Sequence, residues 1–433
     1  MSGGLAVQEW QRFAAPRFRT YHYLAMTQGV VAVLAGFDVV IPFALAVGTP
    51  PFIAVLLGVL PLAGGMAQLL VPRLLDRTEG NLRGLTIFVA AIAEPRGLYL
   101  ALLALGAATG LITGPLLVLL LAIVVGLGSV LGSIATANLL SWHSAVLTDE
   151  ERRLTVPRLM AVSLGVGAVL LLPMAFLLDA MVGAVGLYAY MIPFSVAGLF
   201  GVAEIFVLRR LRHPGRVIVP PPPAPADAEP TPELDSFLSF SGVNALGMGV
   251  APAMSVFTIS VVGLSAGFSM LVASIGTLTM VGAAAYFGAK LTHGSSSRML
   301  RNSFAIRAAA MFSPLLALPA APFAPIFLIA SAMLGAVGFA SGSLAANERL
   351  FRLISGPAVI RHHARYLART SGAMTAGQLG GAAVIALGGP LGYPAFAALY
   401  ATSATLRVIA FRQATVASAV PALTAPRLEP GRA

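Results

Sequence analysis

Ionisable side chains inside long apolar stretches of the sequence include Asp38, Glu94, Arg96 and Glu204. Because a charge is strongly disfavoured in an apolar medium, such groups are usually kept for function or neutralised by a partner. A carboxyl group in this setting can carry a proton or contact a cation. Asp38 is open to two interpretations, as a functional group of that kind or as an acid at a helix end that is hydrated from outside.

The other three ionisable groups favour structural pairing. Glu94 and Arg96 flank Pro95, and this spacing favours an ion pair at a kinked helix, either with each other or with a neighbouring helix. A role for Glu94 in proton coupling stays open beside that interpretation. Glu204 is followed closely by two arginines, so we expect it to be a paired acid at the end of a helix.

Uncharged polar groups in the same stretches are candidates for contact with a substrate. Four amide side chains are of this kind: Gln28, Asn138, Asn244 and Gln378. In an apolar medium an amide can hydrogen-bond to a neighbouring helix as readily as to a ligand. Both interpretations stay open for each of the four residues.

Several kinds of chemistry are missing from the sequence. The chain has no cysteine, which excludes disulfides, thiolate metal sites and cysteine nucleophiles. It has no glycine-rich phosphate loop ending in Gly-Lys-Ser/Thr, and Lys290 is the sole lysine, so ATP-driven transport by this chain alone is not expected. The six histidines are scattered, and the sequence predicts no metal site, no catalytic triad and no cofactor. We therefore do not expect an enzyme.

Twelve apolar stretches would position these side chains. Each is about 20 residues long, the length that a helix needs to cross a bilayer. The chain has 10% charged and 58% hydrophobic residues, against roughly 25% charged residues in a typical soluble domain. The sequence therefore predicts an all-α polytopic membrane protein without strands. The predicted spans are 23–46, 52–71, 85–108, 116–140, 157–180, 184–208, 238–262, 266–290, 303–320, 322–346, 370–388 and 391–411.

The longest connection divides the spans into six and six. It contains four consecutive prolines, Pro220 to Pro223, and such a composition favours an extended, solvated strap. The predicted organisation is an N-terminal lead at 1–22, a six-helix bundle at 23–208, a proline-rich linker at 209–237, a second six-helix bundle at 238–411 and a tail at 412–433.

Basic residues lie on one side of the predicted spans, in loops or at helix ends, with Arg96 as the exception. The alternate loops contain no Lys or Arg. Because basic side chains are retained on the cytoplasmic side during insertion, the pattern predicts a protein of the inner cell membrane with both termini in the cytoplasm. The same rule explains the net charge of +11, so nucleic-acid binding is not expected.

The two halves of the chain resemble each other. Asn138 precedes Arg152 by the same number of residues as Asn347 precedes Arg361, and each asparagine follows an alanine. Chance matching in a chain rich in Ala and Arg would explain these residues taken alone. Six spans in each half favour a duplication, and repeated bundles around a central path are typical of secondary transporters.

The loop after the second span resembles a known family signature. It reads PRLLDRTEGNLR from Pro72 to Arg83. In the loop signature of the major facilitator superfamily, Gly, Asp, Arg, Gly and paired basic residues occupy this place. Asp76 and Arg77 match the signature, and Arg83 is what remains of the trailing basic pair, whereas Pro72 replaces the leading glycine.

The resemblance implies a role for this loop. The inner loops after spans four and ten are similar to those of bacterial members too, so the resemblance covers residues 20–412. In the family the loop acid and arginine tie the two halves together on the cytoplasmic side when the transporter faces outward. We therefore expect Asp76, Arg77, Arg83 and Arg152 to form a cytoplasmic gate.

The resemblance also implies a path and a function. Spans one, four, seven and ten line the path in the family, which favours Gln28, Asn138 and Asn244 as path residues. It favours Asp38 over Glu94 for proton coupling, because the third span is expected outside the path. The implied function is secondary transport of a small molecule by alternating access, coupled to protons, in a monomer. The alternative is a transporter-like membrane protein with a non-transport role in assembly or lipid handling.

Overall fold

The computed structural model describes residues 18–147, 149–212, 232–290, 296–318, 321–353, 359–388 and 392–419. Within these ranges the chain is helical and has no strand. Most of the predicted lead, linker and tail lies outside the described residues, at 1–17, 213–231 and 420–433.

The described residues form twelve long helices, six in each half of the chain. The first half has α1 (Arg19–Leu34 and Phe37–Ala46), α2 (Pro51–Gly65 and Val71–Arg77, joined by the 3₁₀ segment Met66–Leu70), α3 (Leu82–Ala93 and Arg96–Ala108), α4 (Gly114–Val146), α5 (Asp149–Val185) and α6 (Met191–Arg210). The second half has α7 (Pro232–Met248 and Ala251–Val256, continued by the π segment Phe257–Val261), α8 (Ala266–Lys290), α9 (Ser296–Phe312, continued by the 3₁₀ segment Ser313–Leu316), α10 (Ala324–Leu353), α11 (Val359–Gly388) and α12 (Tyr393–Ala419). The prediction of an all-α polytopic protein is confirmed.

Apolarity alone identifies most of these helices as membrane spans. Among the described residues, nine stretches are long and apolar enough to cross a bilayer, and one of them, Arg158–Arg210, contains both α6 and most of α5. The two helices outside this set are α9 and α11, and each carries three arginines. Their membrane location follows from packing against the apolar helices on either side of them.

Two arginines lie deeper in the helices than the sequence predicts. Arg307 and Arg407 are buried within α9 and α12, so the prediction that Arg96 is the only basic residue inside a span was wrong. The reason is that α9 begins at Ser296, well before the apolar stretch, and α12 continues to Ala419 beyond it. Both arginines are therefore more than two helical turns from the nearest helix end at the basic loops.

Two helices of the first half are interrupted near their middles. α1 breaks at Ala35 and Gly36, where a Cβ on Gly36 would lie 2.2 Å from the Ala32 carbonyl oxygen. α3 breaks at Glu94 and Pro95, because proline has no N–H with which to continue the helical hydrogen bonds. Glu94, at the break in α3, is buried, and Asp38, two residues after the break in α1, is half-buried.

The same helix pairs pack together in each half. In the first half α1 packs against α5 and α6, and α4 packs against α2 and α3. In the second half α7 packs against α11 and α12, and α10 packs against α8 and α9. Between the halves, α5 packs on α8 and α2 packs on α11. The two bundles are therefore pseudo-repeats of each other, as the sequence duplication predicted.

Glycines permit the closest of these crossings. A Cβ on Gly29 of α1 would lie 2.1 Å from the Ser163 carbonyl oxygen of α5, and one on Gly167 would lie 2.8 Å from the Gly29 oxygen. The equivalent crossing of α7 and α11 uses Gly377, whose Cβ would lie 2.0 Å from the Leu246 oxygen. Small residues at these points let the backbones touch, as is common between membrane helices.

The buried core is shared at one end of the molecule and divided at the other. We call the end with the basic loops the basic end and the other the far end. Toward the far end, one cluster joins side chains of both halves, including Phe43 and Phe257. Toward the basic end there are two separate clusters, one around Trp142 and one around Phe237. Among the described residues, the buried clusters of the two halves are therefore joined at the far end and separate at the basic end, and we call these ends closed and parted.

The one-sided basic residues predict that the basic end faces the cytoplasm. Because the chain has no cysteine, single cysteines can report this directly. Cysteines replacing the exposed residues Thr113 and Ala180 at the far end should react with an impermeant maleimide added to intact cells. Cysteines replacing the exposed residues Glu233 and Arg412 at the basic end should react only after permeabilisation. Reversed labelling would overturn the orientation.

Candidate functional site

A cavity of about 420 Å³ lies in the first half, where α1 to α5 face one another. Three of the polar residues singled out in the sequence line it: Gln28, Glu94 and Arg96. Hydroxyl groups of α4 and α5 add hydrogen-bonding capacity, and these belong to Ser129, Ser133, Thr136 and Ser163. Apolar residues and glycines complete the wall, so the cavity can hold a small molecule with polar groups.

Glu94 and Arg96 reach the cavity from the break in α3. Gly201 of α6 packs against this break, and a Cβ there would lie 2.0 Å from the Glu94 carbonyl oxygen. The Arg96 side chain extends along α4 over Gly128 and Gly132, where Cβ atoms would lie 3.2 Å from its Cδ and 3.6 Å from its Nη1. Both residues thus line the cavity, although the third span was expected outside the path.

Glu204 is near the polar residues Gln28 and Glu94 but does not itself line the cavity. It is 1% exposed, and its Oε1 accepts a hydrogen bond of 3.0 Å from Gln28 Nε2. Its Oε2 has no hydrogen-bond partner among the described residues, and Glu94 lies within electrostatic reach. The expectation of a paired acid at a helix end was wrong, because Glu204 lies more than one turn before the end of α6 and faces α1 and α3.

Asp38 lies near the cavity without being one of its lining residues. It is half-buried in the first turn of the second segment of α1, Phe37–Ala46. Phe37 just before it and Val40 two residues after it line the cavity. An acid in the first turn of a helical segment is stabilised by the free N–H groups there, which is a structural reason for its presence.

The three other amides lie outside the cavity lining. Asn138 and Gln378 are fully buried, and neither side chain has a hydrogen-bond partner among the described residues. Gln378 lies at the contact between the halves, where a Cβ on Gly58 of α2 would be 3.0 Å from its Nε2. Asn244 is buried on α7 and donates from Nδ2 to Met248 Sδ at 3.5 Å. None of the three joins the polar group around Glu94.

The four predicted gate residues lie at the basic end. Asp76 and Arg77 are exposed at the end of α2. Arg83 donates from Nη2 to the Arg209 carbonyl oxygen at 2.7 Å, a contact within the first half. The Arg152 side chain lies outside the described part of the chain. The described gate residues thus make no hydrogen bond to the second half in this arrangement, in which the basic end is parted.

The far end is closed by contacts between the halves. Asp179 near the end of α5 accepts two hydrogen bonds from the start of α8, from Ser265 Oγ at 2.5 Å and from the Gly267 N–H at 2.8 Å. Deeper in the same interface, Ser274 Oγ donates to the Ala168 carbonyl oxygen at 2.7 Å. Asp179 lies at the end of the predicted span 157–180. Its pairing could not be read from the sequence, since its partners are far away along the chain.

Comparison with solved structures identifies the fold. A bacterial homologue of the iron transporter ferroportin, in its inward-facing state, is 14% identical with a TM-score of 0.71, covering 92% of this chain and 97% of that one. A point mutant of the nucleoside transporter NupG is 12% identical with a TM-score of 0.65, covering 92% and 98%. The chain has the major facilitator fold. A POT family transporter in complex with a thioalcohol-conjugated peptide shares it at 10% identity, with a TM-score of 0.66 and coverage of 92% and 96%. No family model and no curated protein matches the chain by sequence.

An outward-facing structure of a bacterial ferroportin homologue, with soaked iron, shares the fold at 14% identity with a TM-score of 0.62.

Proposed function

We propose that the protein is a secondary transporter that carries a small polar molecule across the inner cell membrane by alternating access. The observation that carries this proposal is the polar cavity, which lies between an end where the halves are joined and an end where they are parted. Rocking of the two pseudo-repeated bundles would expose the cavity to each side in turn. The solved structures of similar fold are named as a nucleoside transporter, a metal transporter and a POT family transporter in complex with a conjugated peptide, which supports transport as the function.

The cavity restricts the chemistry of the substrate. A carboxyl group, a guanidinium group, an amide and several hydroxyl groups face the same space. A molecule with both hydrogen-bond donors and acceptors would satisfy these groups, whereas a purely apolar one would leave them unpaired. The neighbours differ too widely in substrate to indicate one class by themselves. We therefore propose a small polar substrate of at most about the size that the 420 Å³ cavity admits.

Proton coupling is proposed to depend on Glu94 together with Glu204. Glu94 faces the cavity, Glu204 lies behind it, and Gln28 connects α1 to this pair through its hydrogen bond to Glu204. Two carboxyl groups within electrostatic reach of each other disfavour double ionisation, so the pair would retain a proton that one side can receive and the other release. Asp38 is the second candidate, because it lies beside the cavity but not in its lining.

The cytoplasmic gate is proposed to form in the conformation in which the far end is open and the basic end is closed. Asp76, Arg77, Arg83 and Arg152 all lie at this end, and the first two are exposed while the halves are parted. Closure of the basic end would bring the loop after α2 toward the second half, as the similarity of this loop to the major facilitator signature implies. The protein is proposed to work as a monomer.

The proposed function can be tested on the purified full chain. A thermal-shift screen of nucleosides, short peptides and divalent metal salts should find a compound that raises the melting temperature of the wild type. Ser133→Leu, which fills the cavity lining, should reduce that shift, whereas Thr402→Leu on the exposed surface of α12 should not. Proteoliposomes should then exchange the same compound across the membrane. Binding without any flux would favour the non-transport role instead.

A further inference from the structure

The second half contains two buried arginines that the cavity in the first half does not use. Arg307 on α9 is 6% exposed and Arg407 on α12 is 5% exposed. At 1.5 Å per residue, Arg307 is about 17 Å along α9 from Ser296, and Arg407 is about 21 Å along α12 from Tyr393. Both charges therefore lie deep within the membrane-spanning bundle. Together with Asn244 of α7 we call them the arginine cluster.

Each arginine uses few of its hydrogen-bond donors. Arg307 donates from Nη2 to the Phe339 carbonyl oxygen at 3.1 Å, and its Nη1 contacts Met248 Sδ at 3.3 Å. Arg407 donates from Nη1 to Ser403 Oγ at 2.8 Å and to the Arg307 carbonyl oxygen at 3.5 Å. The Nε of each arginine has no partner among the described residues. A guanidinium has five N–H donors, so most of the ten are left for another acceptor.

Glycines of α10 shape the space around Arg307. A Cβ on Gly338 would lie 2.6 Å from Arg307 Cγ, and one on Gly342 would lie 2.6 Å from Arg307 Nη2. The side chain thus lies flat against α10 and is held there by backbone. Asn244 contributes a further polar group from α7, and its Oδ1 has no partner among the described residues. The arginine cluster is therefore a polar site formed by residues of four helices, α7, α9, α10 and α12.

The acidic residues of the second bundle are distant from the cluster. In the described part of that bundle they are Glu233, Asp235 and Glu348. Glu233 and Asp235 are in the first turn of α7, and Asp235 is about 14 Å along the helix from Asn244. Glu348 is about 9 Å along α10 from Gly342, toward the basic end. Within the described part of this bundle, two buried positive charges therefore lie together with no carboxylate beside them.

A buried charge of this kind needs a counter-charge. Arginine does not lose its proton in proteins, so the cluster cannot become neutral by deprotonation. Tyr366 of α11 lies within electrostatic reach of Arg307, but a neutral phenol supplies no counter-charge. An uncompensated buried charge destabilises a protein far more than a compensated one. The guanidinium fork matches the geometry of a carboxylate or phosphate group, which accepts two parallel hydrogen bonds. Arg307 and Arg407 together suit an oxyanion with one or two negative charges.

We infer that Arg307, Arg407 and Asn244 form a binding site for a small oxyanion within the second bundle. The ligand is a carboxylate or phosphate group, held by the unused guanidinium donors and by the second N–H of Asn244 Nδ2, whose first N–H donates to Met248 Sδ. In the second bundle, Asn244, Arg307 and Arg407 lie on the first, third and sixth helices. The corresponding helices of the first bundle carry the amide Gln28 and the acids Glu94 and Glu204. This inference does not depend on the proposed transport function.

The test is the thermal stability of the full chain in detergent at constant ionic strength. Sodium phosphate, sodium acetate and sodium chloride are titrated separately into a sodium HEPES background. A saturable rise in melting temperature of several degrees is expected with phosphate, acetate or both. Phosphate alone would indicate a free inorganic ion, and acetate alone would indicate the carboxylate of an organic ligand; both outcomes support the site. A rise only with chloride, or none, would overturn it.

Variants separate the site from general salt effects. Arg407→Gln should lose the anion-dependent rise, whereas Arg412→Gln, an exposed arginine on the same helix, should keep it. Asn244→Asp should supply the counter-charge internally, so it should be at least as stable as the wild type without anion and should not respond to added anion. Since this second variant gains rather than loses an interaction, it remains informative if Arg407→Gln does not fold. An equal rise in all variants would overturn the inference.

Discussion

Replacement of Glu94 by Gln is expected to abolish accumulation of substrate against a gradient while leaving substrate binding intact. The amide keeps the size and hydrogen-bonding ability of the side chain in the cavity, but it cannot exchange a proton. With one proton coupled to each substrate molecule, a difference of one pH unit corresponds to about 1.4 kcal/mol and supports roughly tenfold accumulation. The variant should bring that ratio to about one.

The measurement is uptake into proteoliposomes with and without an imposed pH gradient, together with exchange of labelled for unlabelled substrate, which needs no proton movement. Glu94→Gln should retain exchange, and Glu204→Gln should resemble it because the two acids form one group with Gln28. Asp38→Asn is the matched control, since that acid lies beside the cavity and not in its lining. If Asp38→Asn loses accumulation and Glu94→Gln keeps it, the coupling group is Asp38.

Replacement of Asp179 by Ala is expected to shift the population toward the conformation that opens at the far end. The side chain accepts hydrogen bonds from Ser265 and from the Gly267 N–H across the two halves. Because Asp179 is exposed, we expect the two bonds together to contribute about 1–2 kcal/mol to closure of the far end. A loss of about 1.4 kcal/mol would increase the far-end-open fraction roughly tenfold relative to the closed one.

The population can be followed with a single cysteine replacing Ser133, which lines the cavity. An impermeant maleimide applied at the far side should label it faster in the Asp179→Ala background than in the parent. Asp76→Asn is the opposing variant: if its loop ties the basic end together, labelling from the far side should become slower. Equal labelling rates in all three backgrounds would contradict a role for Asp179 in closing the far end.

The sequence predicted the helical framework because that framework depends on local properties. Apolar length, one-sided basic residues and proline or glycine turns are each readable within a few residues of the chain. The depth of Arg307 and Arg407 was not predicted. Polar residues extend α9 and α12 beyond the apolar stretches, so each arginine lies farther from the end of its helix than the apolar stretch indicates. Each arginine has apolar residues on both sides in the sequence, and that signal could have identified them.

The site was less predictable than the fold, because it depends on the rotation of several helices about their axes. Gln28 and Glu94 were candidates from residue type alone, and the structure brings both to one cavity. Glu204 was assigned to the wrong partners, since its proximity in sequence to two arginines outweighed its unknown facing direction. The contact of Arg96 with the α4 glycines was not predictable either, because it depends on how α3 and α4 are aligned along their axes. Such alignments are set by packing over long sequence separations.

Closure of the far end has a consequence for how strongly a compound appears to act from each side. A molecule approaching from the far side can bind only the fraction of proteins that are open there, so its apparent dissociation constant equals the intrinsic constant divided by that fraction. The same molecule approaching from the basic side binds the fraction that is open there, so the two apparent constants differ by the ratio of the two fractions. An inhibitor of the cavity would therefore differ in potency between right-side-out and inside-out vesicles, and the Asp179 contacts would determine the size of that difference.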